Sequence, residues 1–123
     1  MGKKGFRDLV VWQKAKDLAV KIHQLSENGA LGRDFGLCDQ IRRSAVSIAS
    51  NLAEGDERDT DKEAVRFFYI AKGSLAELRT QIQISCESGH LNKAFYDGLE
   101  TECETLGKMI GSLIRARSRS HGP

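Results

Sequence analysis

One proline, Pro123, in a chain of 123 residues is the tightest constraint on how this protein folds. Proline removes a backbone donor and clashes with the preceding helical turn, so its absence elsewhere leaves glycine as the main helix breaker. Between the glycines, apolar residues recur every three or four positions, the period of one helix face. Val11, Ala15, Leu18, Ile22 and Leu25 form a first seam. Cys38, Ile41, Ala45, Ile48 and Leu52 form a second. Ala64, Phe68, Ala71, Leu75, Leu78 and Ile82 form a third. Tyr96, Leu99, Cys103, Leu106, Ile110 and Leu113 form a fourth. No stretch shows the alternation of period two that a half-buried strand requires.

Local signals set the boundaries. The first helix is predicted over 7–26 and is broken by Asn28-Gly29 and Gly32. The second runs from 34 or 35 to 53, followed by a loop over 54–59. Thr60 and Glu63 have capping-box spacing and open a third helix that ends at Gly89. Asn92 caps the fourth, whose apolar pattern stops at Ile114. Residues 1–6 read as a flexible lead and 115–123 as a basic, frayed tail. Helices of roughly 20–28 residues are each about 30–40 Å long. Short connections favour antiparallel neighbours, so the expected fold is all-α, a single antiparallel up-down-up-down four-helix bundle over 7–114.

Several function classes fit poorly. No apolar run approaches the ~18 residues of a membrane span, and the first residues lack the apolar core of a secretion signal. Cys38, Cys86 and Cys103 lie on or beside the seams and read as reduced core thiols, which favours the cytoplasm. Glu87-Ser-Gly-His90 has the spacing of half a di-metal motif, but it occurs once and Gly89 interrupts it. His23 and His121 have no companions arranged for acid–base chemistry. There is no glycine-rich phosphate loop, paired-cysteine motif or hydrolase-type serine turn. The expectation is a non-catalytic protein without a cofactor or a metal.

Behind the second seam runs a second stripe, Ser44, Ser47, Asn51 and Glu54. The third helix has a matching mixed stripe of Phe67, Ile70, Ser74, Glu77 and Gln81. Small hydroxyls such as Ser44, Ser47 and Ser74, with Gly73, let helices approach closely. Asn51, Glu54, Arg58 and Glu77 supply polar partners. Two readings are open: a contact between subunits, or a polar network within one chain that sets helix register.

Charge is distributed unevenly. All 17 acidic side chains lie between Asp8 and Glu104, whereas Lys3, Lys4, Arg7, Arg115, Arg117 and Arg119 lie outside that span. The candidate phosphate contacts are Arg42, Arg43, Arg66, Lys72, Arg115, Arg117 and Arg119. An up-down bundle brings both basic ends to the acidic stretch from Glu54 to Glu63, so mutual neutralisation competes with nucleic-acid binding. Cations on the helices can equally be solvated and paired with neighbouring carboxylates. Aromatic residues interleaved for base stacking are missing, and Trp12 beside the first seam reads as packing.

Several ordered segments carry a family resemblance: Val11-Trp-Gln-Lys-Ala15, Gly36-Leu37 before Gln40-Ile-Arg-Arg43, Ser47-Ile48, Asn51-Leu-Ala-Glu-Gly55, Arg58, Phe67 and Ala71-Lys-Gly-Ser-Leu-Ala-Glu77. The chain resembles the bacterial four-helix-bundle family of intervening sequences in large-subunit ribosomal RNA genes, over about 6–114. It departs from the family pattern in the Glu27–Asp34 connection, which lacks the usual proline, and at Ala49, where a proline is common. The resemblance implies a protomer that assembles into a ring, commonly a homopentamer. It also implies kinship with the accessory protein of diversity-generating retroelements, which works beside a reverse transcriptase. The leading expectation is an oligomeric accessory protein that binds RNA or DNA. Its rival is a protein-docking scaffold that binds no nucleic acid.

Overall fold

The computed structural model describes residues 5–119. Lys3, Lys4 and His121 lie outside the described residues. A 3-10 turn at Phe6–Asp8 leads into α1 (Val10–Leu25). A short α2 (Gly29–Arg33) connects to α3 (Phe35–Asp56). The helices α4 (Asp61–Glu87) and α5 (Lys93–Arg119) complete the all-α chain.

The ends form where the sequence places caps. The Asp34 carboxylate accepts from Leu37 N–H at 3.2 Å, the Thr60 hydroxyl from Glu63 N–H at 3.2 Å, and the Asn92 amide oxygen from Phe95 N–H at 2.7 Å. Gly89 closes α4 at φ 82°, a left-handed value that a side chain would strain. There the His90 N–H reaches Ser85 O at 2.8 Å and the Gly89 N–H reaches Cys86 O at 3.0 Å, the paired bonds of a Schellman ending.

All four seams turn inward, and Phe68, Ile22, Ile48, Leu52, Leu78 and Ile110 are among the fully buried side chains. The Ser47–Ser74 contact and the packing of Gly55 on Phe68 show that α3 and α4 run in opposite directions. Leu75 beside Gly107, with Arg117 near Asp61, does the same for α4 and α5. The α1 helix packs chiefly on α3, and its end is tied there by Arg42 and Cys38, both bonded to Ser26.

Four boundaries differ from expectation. The first long helix starts at Val10, because residues 6–8 turn back so that Phe6 packs edge-on against Trp12, ring centroids 5.1 Å apart. The connection over 29–33 is a helical turn that buries Leu31. The α3 helix passes through Gly55 to Asp56, because there the missing side chain allows close helix contact. The α5 helix continues beyond Ile114, which is itself buried, to Arg119. An ion pair described below anchors that extra turn, and cations in a last turn also complement the helix dipole.

Candidate nucleic-acid interface

The seven candidate cations fall into three groups. Arg42 turns toward α1: its Nε donates to Ser26 Oγ at 2.7 Å and its Nη2 to the His23 carbonyl at 3.2 Å. It therefore satisfies an acceptor at the C-terminal end of α1. Arg43 is exposed on α3 and pairs with Asp39 at 2.8 Å, which raises its already high pKa. Arg117 is held at the end of the bundle. Its Nη2 donates to Asp56 at 2.6 Å and its Nη1 to Asp61 at 3.4 Å, and its guanidinium lies 5.5 Å from the centroid of the Phe68 ring. The Asp56 side chain is 0% exposed, so this pair is a structural element, and the basic end meets the acidic stretch as the topology argument anticipates.

Lys72, Arg115 and Arg119 are different. All three are exposed. Arg115 and Arg119 share one face of α5 with Lys108, at spacings of four and seven. Lys72 and Lys108 line a common groove of about 430 Å³ between α4 and α5. Among the described residues, none of these four has a carboxylate within salt-bridge distance; Arg115 bonds only Ser112, and Lys72 lies 5.9 Å from the centroid of the Tyr69 ring. From Lys108 to Arg119 the ridge spans about 16 Å. Arg79 lies in the same groove but is paired with Glu100. Arg66 is exposed, 4.0 Å from Glu63, on the outer side of α4. Sequence reading missed Lys108; its spacing from Arg115 and Arg119 was the available signal.

The second stripe is largely occupied within the chain. Ser47 Oγ meets Ser74 Oγ at 2.8 Å, and the Asn51 amide donates to Ser47 O at 2.9 Å and to Ser47 Oγ at 3.0 Å. Ser44 on α3 and Ser74 on α4 are buried. Within the chain, Ser47, Asn51 and Ser74 thus form the polar network that is the second of the two readings of this stripe. Helical spacing reports that a face is in contact without reporting which chain contacts it. Glu54, Arg58 and Glu77 are exposed and Phe67 is half-buried, with Arg58 paired to Glu54 at 2.7 Å and lying 4.3 Å from the Phe67 ring centroid. Gly73 has open space around it. Ser74→Leu is therefore expected to lower protomer stability by about 1–3 kcal/mol through overpacking. Urea unfolding followed by circular dichroism measures this, and an unchanged midpoint would place Ser74 at a tolerant surface.

The lone Glu-x-x-His spacing has another use. His90 Nε2 lies 3.1 Å from Asp34 Oδ2, joining the α4–α5 connection to the start of α3. The Leu37 N–H and His90 together hold the Asp34 pKa below its usual 3.8. A depressed carboxylate pKa stabilises the fold fully above the unfolded value, and the contribution disappears as pH falls through the folded value. The stability advantage of wild type over Asp34→Asn is thus expected in full at neutral pH, should begin to decline near about pH 4, and is lost only as pH falls through the lowered folded value. A gap in urea midpoint that persists in acid would refute that origin. Among the described residues, no group of three or more His, Cys, Asp or Glu side chains is placed to hold a metal ion. Burial pushes the Cys103 thiol up to about 12, which leaves it unreactive at neutral pH.

Fold and surface together define an all-helical bundle protein with a basic ridge on one side. No helix among the described residues is long and apolar enough to cross a membrane. Residues 7–112 match the model of the 23S rRNA-intervening sequence protein family, and the chain belongs to that family. A crystal structure at 1.70 Å of a protein of unknown function from the S23 ribosomal protein family of Bacteroides thetaiotaomicron VPI-5482 is similar in fold. Its TM-score is 0.81 at 21% identity, over 86% of this chain and 96% of that one. No curated protein matches the chain.

Proposed function

We propose that this chain is a non-catalytic accessory protein that binds RNA or DNA through the ridge of Lys72, Lys108, Arg115 and Arg119. The observation that carries the reading is that these four exposed cations lie together along α4 and α5 and, among the described residues, have no carboxylate within salt-bridge distance, although Glu104 shares the groove with Lys72 and Lys108. Unpaired cations along a rigid helix suit phosphates at low desolvation cost, and they bind with little sequence preference. The family description, which names 23S rRNA-intervening sequences, supports the same reading. Arg66 adds charge on the outer side of α4, whereas Arg43, paired with Asp39 on α3, lies away from this ridge. Arg117 and Arg42 serve the fold.

Fluorescence anisotropy with mixed-sequence RNA and DNA duplexes tests this. Four phosphate contacts imply a loss of affinity on the order of 100-fold between about 50 and 200 mM salt. Replacing the four cations by alanine should abolish binding. Binding that survives the quadruple replacement, or is missing even at low salt, removes the proposal. Truncation after Ile114 is unsuited to the test, because it also deletes Arg117.

Self-association into a ring belongs to the same proposal. The supporting surface is the outer side of α3 and α4, where Glu54, Arg58, Phe67 and Glu77 lie with the exposed Ile70 and Ile84. Repetition around a ring would make a modest ridge multivalent. Sedimentation equilibrium decides: a protomer mass of 13.6 kDa at every concentration eliminates the ring. The exposed apolar residues also favour the second reading, a scaffold that docks a protein. A reverse transcriptase or another cytoplasmic protein is the partner class that the family resemblance suggests.

A further inference from the structure

A groove of about 540 Å³ runs between α1 and α3, on a side of the bundle that the basic ridge does not use. It exists because the facing residues are small: Ala19, Ala49, Ser50 and Ala53 leave the two helices unfilled on their outer side. Trp12 and Phe6 close one end. Val20 and Val46 stand on opposite walls, 49% and 44% exposed. At its other end the groove passes His23 and Val46 into a recess of about 380 Å³ bordered by Arg42 and Arg43. Isolated exposed valines are ordinary, but these two face one another across an apolar channel.

The charged side chains that line the channel are all basic. Its charged lining residues are Arg7, Lys16, Arg42 and Arg43, with no Asp or Glu. Lys16 and Arg43 hold Asp17 and Asp39 in exposed pairs, which contribute little and are readily exchanged. Arg42 is held by neutral acceptors, Ser26 Oγ and the His23 carbonyl, so its charge is not cancelled at those contacts. Arg7 lies 4.7 Å from the Phe6 ring centroid.

We propose that this groove seats an amphipathic helix of a partner protein, with an apolar stripe on Val20, Val46 and Trp12 and carboxylates on both flanks facing Arg7, Lys16, Arg42 and Arg43. The lining of α1 extends from Trp12 to Gln24, about 18 Å or three turns, which matches helix-in-groove recognition through i, i+3, i+4 and i+7 anchors. Nucleic acid suits the channel less well, because Trp12 and Phe6 pack on one another and Arg7 covers Phe6, so neither ring is a free stacking platform. A second copy of this chain is also a poorer match. Its exposed stripe on α4, Ile70 and Ile84, is flanked by Arg66 as well as Glu77, whereas the channel favours acid alone.

Trp12 is the only tryptophan, so its fluorescence reports on the groove without a label. The probe is a synthetic tryptophan-free helix of about four turns, with leucines on one stripe and glutamates on both flanks. A control peptide carries lysines in place of the glutamates. The intact protein should show a saturable Trp12 shift with the acidic peptide and bind the lysine peptide at least roughly tenfold more weakly. Val20→Asp and Val46→Asp should each remove the response with circular dichroism unchanged, since both side chains already face solvent. The variant lacking the four ridge cations should still bind the peptide, which separates this inference from the nucleic-acid proposal. No saturable response, or equal affinity for the two peptides, overturns it. So does a fall in sedimentation mass of Val46→Asp without peptide, which would make a second copy the occupant. A Trp12 shift induced by RNA and lost in Val46→Asp would likewise overturn it in favour of nucleic acid.

Discussion

Arg117→Ala is expected to lower the unfolding free energy by about 1.5–3 kcal/mol, because it removes a charged hydrogen-bond partner from a buried carboxylate. Asp56 is fully enclosed, and Arg117 bonds it at 2.6 Å while also reaching Asp61 and lying near the Phe68 ring. One side chain near the end of α5 thus joins the C-terminus of α3 to the start of α4. Arg115→Ala is the matched control, two residues away and exposed, with an expected effect within about 0.5 kcal/mol. Urea unfolding of both variants measures the difference. If Arg117→Ala proves as mild as Arg115→Ala, the ion pair is no structural element and Arg117 returns to the list of candidate phosphate contacts.

Gly55→Val should be comparably damaging, at roughly 3 kcal/mol, the upper end of ordinary overpacking. A β-carbon at Gly55 would lie 2.7 Å from Phe68 Cε1 and 3.0 Å from both the Ala64 carbonyl oxygen and Phe67 Cβ. Phe68 has no room to withdraw, being fully buried, and the carbonyl belongs to the backbone of α4. Gly98→Ala is the opposite case. Nothing lies within 4 Å of a β-carbon there, so the substitution should stabilise α5 by about 0.5–1 kcal/mol through helix propensity. Opposite signs in thermal unfolding are the expected result. Destabilisation of similar size at both sites would mean that helix contact at Gly55 has no special role.

Both positions show how much was legible in advance. Gly55 looked like the start of a loop, because glycine in a helix normally signals an end; its use as a contact surface needs the neighbouring helix to be known. For Arg117, the bundle topology places the basic end beside the acidic stretch from Glu54 to Glu63, but local sequence does not say which cation pairs or that α5 continues far enough to carry it. The two hydroxyl stripes were recognised as contact surfaces, yet Ser47 and Ser74 meet within one chain. The groove between α1 and α3 was not foreseen, since small residues such as Ala49 and Ala53 read equally well as close packing.

The amino-acid sequence by itself determined the all-α class, the four buried seams, the caps at Asp34, Thr60 and Asn92, and the glycine ending at Gly89. These are properties of segments a few residues long, set by helical period, local hydrogen bonding and backbone freedom. Only the tertiary structure decided which cations have partners, which glycine lies against an aromatic ring, and where helices part to leave a groove. Those outcomes depend on distances between residues remote in sequence, and they are fixed once the seams pack and bring the flanking side chains within reach of one another.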